Sequence, residues 1–172
     1  MNNNIERRIV NIPTEIARST MAKIMTTATV DDYSNCIVSQ YGGNYGPSGT
    51  YRQIQPLQST ETEVRSRGRQ AAPFKPWKGQ GSDYKVPIHH LAWKAKYGTN
   101  PPVGTEVSHL CGNPACCYWD HLCIESHANN VARIGCLGTV HTFTTCPHGE
   151  EMSVEILVCD HQPGCAIVTY RP

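Results

Sequence analysis

Four cysteines, three histidines and three asparagines fall within SHLCGNPACCYWDHLCIESHANN, the 23 residues from Ser108 to Asn130. Thiolate and imidazole are zinc ligands, and a tetrahedral site needs four of them converging at roughly 2.0–2.3 Å on one point. Cys111, Cys116 and His121 are spaced C-x4-C-x4-H, and the turn-rich GNPA interval can fold three ligands around one ion. The fourth must come from elsewhere. Cys36 is the only cysteine upstream, and Cys117 and Cys123 are alternatives, although Cys117 adjoins Cys116 and points away from it in an extended chain. A second group, Cys159, His161 and Cys165, is spaced C-x-H-x3-C, with Cys136 as a fourth ligand and Cys146, in CPH, as its rival. Both groups read as structural sites, because four protein ligands close the coordination sphere.

His109 and Asn130 remain outside these sets. His109 lies two residues before Cys111, so a metal site beside it can pin its imidazole as a general base. Asn129 or Asn130, on a following helix, offers an amide oxygen to a hard cation such as Mg²⁺.

Disulfides are the competing use for nine cysteines. An odd count, histidines close to several of them, and an N-terminal MNNNIERRIV without the apolar run of a secretory signal favour zinc. Metal also fits a weak core, since the 172 residues include two Phe, 14 Gly and 12 Pro. No apolar run approaches the ~18 residues of a membrane span, so no membrane partner is expected.

The elements that position these residues read as α+β. Residues 5–27 are helical in pattern, with Pro13 in the first turn and Ile16, Met21, Ile24 and Met25 near one face. From Tyr33 onward TYRQIQPLQ, TETEVRSRG and DYKVPIHHLAW read as strands, and AAPFKPWKGQGSD as a loop. LAWKAKYG is a helix ending at Gly98, TNPPVGTE a turn, and HANNVARIG a helix closed by Gly135.

The net charge of +1 hides an asymmetry. Residues 51–97 carry nine basic and three acidic side chains, whereas residues 98–172 carry two basic and seven acidic. The middle is therefore the polyanion-binding candidate, through Arg52, Arg65, Arg67, Arg69, Lys75, Lys78 and Lys85. Alternating basic strands can lie in the DNA major groove as a β-ribbon.

SHLC, then N, C, HLC and ES in the cysteine-rich run, with Asn130 and the terminal C-x-H-x3-C, resemble the His-Cys box homing endonucleases. These are the zinc-containing branch of the ββα-metal, HNH-like nucleases. CIVSQYGGNYG agrees with the family's interval from Cys to Tyr-Gly, so the resemblance spans residues 33–165 and is strongest over 108–136. It implies a zinc-stabilised α+β endonuclease domain at 33–172, and the helical pattern read before it makes 1–32 an N-terminal helical segment. Within that domain it implies an antiparallel DNA-binding sheet at 45–92, a ββα-metal core at 105–136 and a second zinc region at 136–165.

The resemblance further implies zinc on Cys36, Cys111, Cys116 and His121, and zinc on Cys136, Cys159, His161 and Cys165. His109 becomes the base that activates water, and Asn130 the ligand of one Mg²⁺. It implies an arginine at the scissile phosphate, Arg52 with Arg65, Arg67 and Arg69 as rivals. A homodimer acting in the nucleus on double-stranded DNA, and intron-encoded by family precedent, completes the expectation. The chain departs from the family in the 22 residues between Cys136 and Cys159, an insertion, and in the seven residues after Cys165, a short tail for a dimer. Two other readings compete: a non-cutting zinc DNA-binding module like the Smad MH1 domain, and a zinc scaffold that binds protein through AAPFKPW.

Overall fold

The computed structural model describes residues 11–32, 34–41, 43–45, 51–59, 74–77, 85–134, 136, 140–145, 147–157, 159–165 and 168–170. In chain order its elements begin with α1 (Thr14–Met25), β1 (Thr29–Val30), β2 (Ile37–Val38), β3 (Gly43–Tyr45), β4 (Tyr51–Ile54), β5 (Leu57–Ser59) and β6 (Phe74–Pro76). There follow β7 (Val86–Pro87), α2 (Ile88–Tyr97), β8 (Glu106–His109), a 3-10 turn at Trp119–His121, β9 (Leu122–Glu125) and α3 (His127–Ala132). The last three are β10 (Val140–Thr145), β11 (Glu151–Leu157) and β12 (Val168–Tyr170). Helices mixed with small, mostly antiparallel sheets make this an α+β chain.

Two compact units divide it: Met1–Thr29 with Ser39–Asn100, and Val30–Val38 with Pro101–Pro172. The N-terminal helix thus shares a unit with the sheet, a different partition from the division at residues 32 and 33. In the first unit α1 enters from Pro13, whose φ of -58° is already helical, and buries Ile16, Ala17, Thr20, Met21 and Ile24. Met25, expected on that face, is 39% exposed at the helix's last residue. Thr20 links α1 to β5: its hydroxyl donates to the Ile16 carbonyl at 2.7 Å and accepts the Leu57 N–H at 2.7 Å. Against α2, Arg18 Nε donates to the Ala95 carbonyl at 3.2 Å.

Among the described residues the strand expected through DYKVPIHHLAW covers Val86–Pro87, and α2 starts at Ile88. Pro87 accounts for this, since its φ of -60° hands the chain into a helix and its missing N–H ends the ladder. Ile88, Leu91 and Ala92 are then buried, and Gly98 closes the helix at φ 72°. Strands β3, β4 and β7 form an antiparallel sheet, with β5–β6 a separate antiparallel pair. Arg52, on β4, stands in register with Asn44. TETEVRSRG with Arg65 and Arg67, the following Arg69, and the segment with Lys78 lie outside the described residues. Lys75 is on β6 and Lys85 is exposed just before β7.

In the second unit β8 and β9 pair antiparallel, with Glu106 opposite Glu125 and His109 opposite Leu122. Ser126 caps α3 by accepting the Asn129 N–H at 3.2 Å. The helix runs to Ala132, and Gly135, expected to close it, is outside the described residues. Val107, Leu122 and four cysteines supply much of the described core. The stretch expected as an insertion carries the β10–β11 antiparallel pair, and β12 joins β10 in parallel. Among the described residues no helix is long and apolar enough to cross a membrane.

Candidate functional site

The second unit contains two groups of converging ligand atoms. Those of Cys36, Cys111, Cys116 and His121 all lie within 4.8 Å of one another, as do those of Cys136, Cys159, His161 and Cys165. A zinc tetrahedron sets S···S near about 3.8 Å and S···N near about 3.5 Å. His121 Nδ1 is 3.6 Å from the sulfurs of both Cys36 and Cys116. His161 Nδ1 is 2.9 Å from Cys159 Sγ and 3.6 Å from Cys165 Sγ, and Cys136 Sγ is 3.4 Å from Cys159 Sγ. Three thiols and an imidazole are a donor set suited to zinc, so each cluster can hold one zinc ion with no position left for substrate.

Local structure explains the convergence. After β8, Gly112 at φ 65° turns the chain between Cys111 and Cys116, and the 3-10 turn delivers His121. Cys36 is brought in by β2, where Val38 bridges Cys116 and the Ile37 carbonyl accepts the Cys117 N–H at 2.8 Å. Hydrogen bonds from Cys111 and then Cys116 hold Cys36 far below the ordinary thiol range. Its neighbour Cys111 is raised, first by Cys116 and then by Cys36. Such competition among thiols is relieved when a cation shares the negative charge. In the second cluster burial opposes ionisation of Cys159, yet the N–H groups of Cys165 and His161 bring it down to about 6.

The other cysteines behave differently. Cys117 donates its thiol to the Ile37 carbonyl at 3.2 Å, and burial pushes it up to about 12. Burial likewise pushes Cys123, on β9, up to about 11. Neither belongs to a cluster; both are core thiols. Cys146 lies outside the described residues.

His109 ends β8, half-buried, with Nε2 3.0 Å from the Cys116 carbonyl. A carbonyl only accepts, so Nε2 carries the proton and Nδ1 keeps the basic lone pair. Desolvation lowers the imidazole to about 4, against the opposing pull of the Cys116 carbonyl and Cys36, leaving it neutral at pH 7.

Asn130, on α3, donates Nδ2–H to Glu106 Oε2 at 2.7 Å, while its Oδ1 accepts the Ser108 hydroxyl at 2.9 Å. Asn129 instead is exposed and contributes its backbone N–H to the Ser126 cap. The Asn130 oxygen retains a second lone pair, which fits a hard cation. Glu106 and Ser108 were not among the expected site residues. Their i, i+2 spacing on a strand, and that of His127 and Asn130 at i, i+3 on a helix, carried the signal. Arg52 belongs to the first unit and is half-buried on β4.

Residues 48–171 match the family model of the zinc-binding loop region of homing endonuclease. That span includes His109, Asn130 and every cluster residue but Cys36. No curated protein and no solved structure matches the chain.

Proposed function

The chain belongs to the family of homing-endonuclease zinc-binding loop regions, and from that premise we propose that it is a Mg²⁺-dependent, site-specific double-stranded DNA endonuclease. The observation that carries this reading is the imidazole of His109 held with Nε2 3.0 Å from the Cys116 carbonyl, the tautomer in which Nδ1 is the basic nitrogen. A zinc-supported DNA binder without chemistry has no need of a base held in that tautomer.

His109 Nδ1 takes a proton from a water molecule, and the resulting hydroxide attacks the scissile phosphorus. The bond from phosphorus to the 3′ oxygen breaks and the departing 3′ oxyanion takes a proton from solvent water, leaving 5′-phosphate and 3′-hydroxyl ends. Asn130 Oδ1 would hold Mg²⁺, which when bound would supply positive charge to offset the negative charge that develops on the leaving group. Cys36, Cys111, Cys116 and His121, and Cys136, Cys159, His161 and Cys165, would hold zinc, which would fix the segments that follow His109 and the end of α3. β8, β9 and α3 are the proposed ββα-metal core, and the antiparallel sheet with Arg52 and Lys85 is the proposed major-groove reader. Arg52 is our choice for the phosphate-contacting arginine, with Arg65, Arg67 and Arg69 as rivals.

Two-strand cutting needs two active sites or sequential nicking, and a two-fold dimer supplies the former, so the proposed enzyme is a homodimer on a pseudo-palindromic target. Intron encoding and action in the nucleus follow from the family resemblance. The test is cleavage by native chain and by His109→Ala, with DNA binding measured alongside. Loss of cleavage with retained binding supports the enzyme; equal behaviour of the two proteins contradicts it.

A further inference from the structure

Two side chains, those of Asn130 and His127, meet at Glu106, and the first carries the amide that the nuclease reading gives to Mg²⁺. Glu106 Oε2 accepts from Asn130 Nδ2 at 2.7 Å, and Oε1 is 3.0 Å from His127 Nδ1. Ser108 Oγ completes the set at 2.9 Å from Asn130 Oδ1. His127 and Asn130 are three residues apart on α3, so one face of that helix grips one carboxylate of β8.

The chemistry of these partners is unequal. A serine hydroxyl can donate to an amide oxygen or accept from an amide nitrogen, so Ser108 alone does not choose between the two orientations of the Asn130 amide. A carboxylate only accepts, so it admits the nitrogen and rejects the oxygen. An amide turned the other way would set oxygen against oxygen at Glu106 and leave nitrogen, which binds no hard cation, in place of the ligand. We infer that Glu106 is a positioning residue that fixes the orientation of the Asn130 amide and so keeps its oxygen available to a divalent cation. The inference rests on the nuclease reading for its role in catalysis, but the orientation can be tested without cleavage.

Mn²⁺ is the probe, titrated by electron paramagnetic resonance into the full chain with both clusters zinc-loaded. Asn130→Ala removes the bound signal if that residue is the ligand. Glu106→Ala should weaken Mn²⁺ binding by about tenfold, the usual lower bound for losing an outer partner of a metal ligand. Glu106→Gln should stay within about twofold of native, because the glutamine carbonyl accepts the same Asn130 bond. The half-saturating Mg²⁺ for cleavage should move by the same factors, with the rate at saturating Mg²⁺ little changed.

Unchanged affinity in Glu106→Ala overturns the inference. Equal weakening in Glu106→Ala and Glu106→Gln also overturns it, since charge or direct ligation would then be the cause. Native protein that binds no Mn²⁺ through Asn130 overturns it as well. Native protein that binds Mn²⁺ in the expected order but cuts no DNA removes the nuclease reading and leaves the orienting role supported. Should Glu106→Ala fail to fold, the native chain decides by ¹⁵N NMR. A downfield, exchange-protected Asn130 side-chain proton supports the inference, and a freely exchanging amide overturns it.

Discussion

His109 and Cys116 are joined by a 3.0 Å contact from the imidazole Nε2 to the backbone carbonyl. A residue of the first cluster therefore orients the candidate base, and one hydrogen bond links the two. Replacing Cys36 with Ser should release one zinc per chain while the second cluster keeps its own. Melting should fall by roughly 10 °C or more, at about 2–4 °C per kcal/mol for a chain of this size. Metal analysis with a thermal scan checks this; full zinc retention would remove Cys36 from the ligand set.

The core thiols should separate cleanly from the ligands. Cys117→Ala and Cys123→Ala each remove a small buried side chain, which should lower stability by about 1–2 kcal/mol and leave zinc content intact. Urea unfolding with metal analysis distinguishes the two effects. Zinc loss in either variant would contradict the assignment of these residues to the core.

How legible these features were depends on distance along the chain. C-x4-C-x4-H and C-x-H-x3-C could be read directly, because their ligands are held by short turns. Cys36 could not be fixed by spacing, since its place depends on the Val38–Cys116 bridge between distant segments. The start of α2 was misread because Val86 and Ile88 look strand-forming, whereas Pro87 dictates a helix entry. Glu106 was missed because its partners, His127 and Asn130, become neighbours only when α3 packs on β8. In the basic middle, alternation marked β4 and the start of β5 within TYRQIQPLQ, but β6 falls in AAPFKPWKGQGSD, which its Pro and Gly content made read as a loop. No one arginine could be singled out, because the segment carries several equivalent candidates.

Arg133 and Glu125 form a buried pair, with Nε 2.9 Å from each carboxylate oxygen and side chains 5% and 3% exposed. Arg133 Nη1 also donates to Cys165 Sγ at 3.3 Å, so the same guanidinium reaches the second cluster. Arg133→Ala should lower stability by about 3–5 kcal/mol, because Glu125 is left buried and unpaired. Adding Glu125→Ala should recover part of that loss. A double-mutant cycle by urea unfolding measures the coupling, and additive single effects would contradict it.

DNA affinity should fall linearly on a log–log plot against salt, with a slope of about -0.9 per phosphate neutralised. His109→Ala should keep that slope while cleavage falls by about 10²–10⁴. Fluorescence anisotropy across salt concentrations reads the first quantity. A salt-insensitive affinity would favour a protein-binding scaffold.

Cleavage of a plasmid library carrying diverse targets tests the central claim most directly, with zinc-loaded native chain compared in Mg²⁺ and in a Mg²⁺-free buffer. The expected result is Mg²⁺-dependent linear DNA with 5′-phosphate and 3′-hydroxyl ends at a recurring sequence, absent with His109→Ala. Nicked circles would replace the dimer by a monomeric nickase. Uncut plasmid in every condition, with salt-sensitive binding intact, would contradict catalysis and leave a zinc-built DNA-binding module.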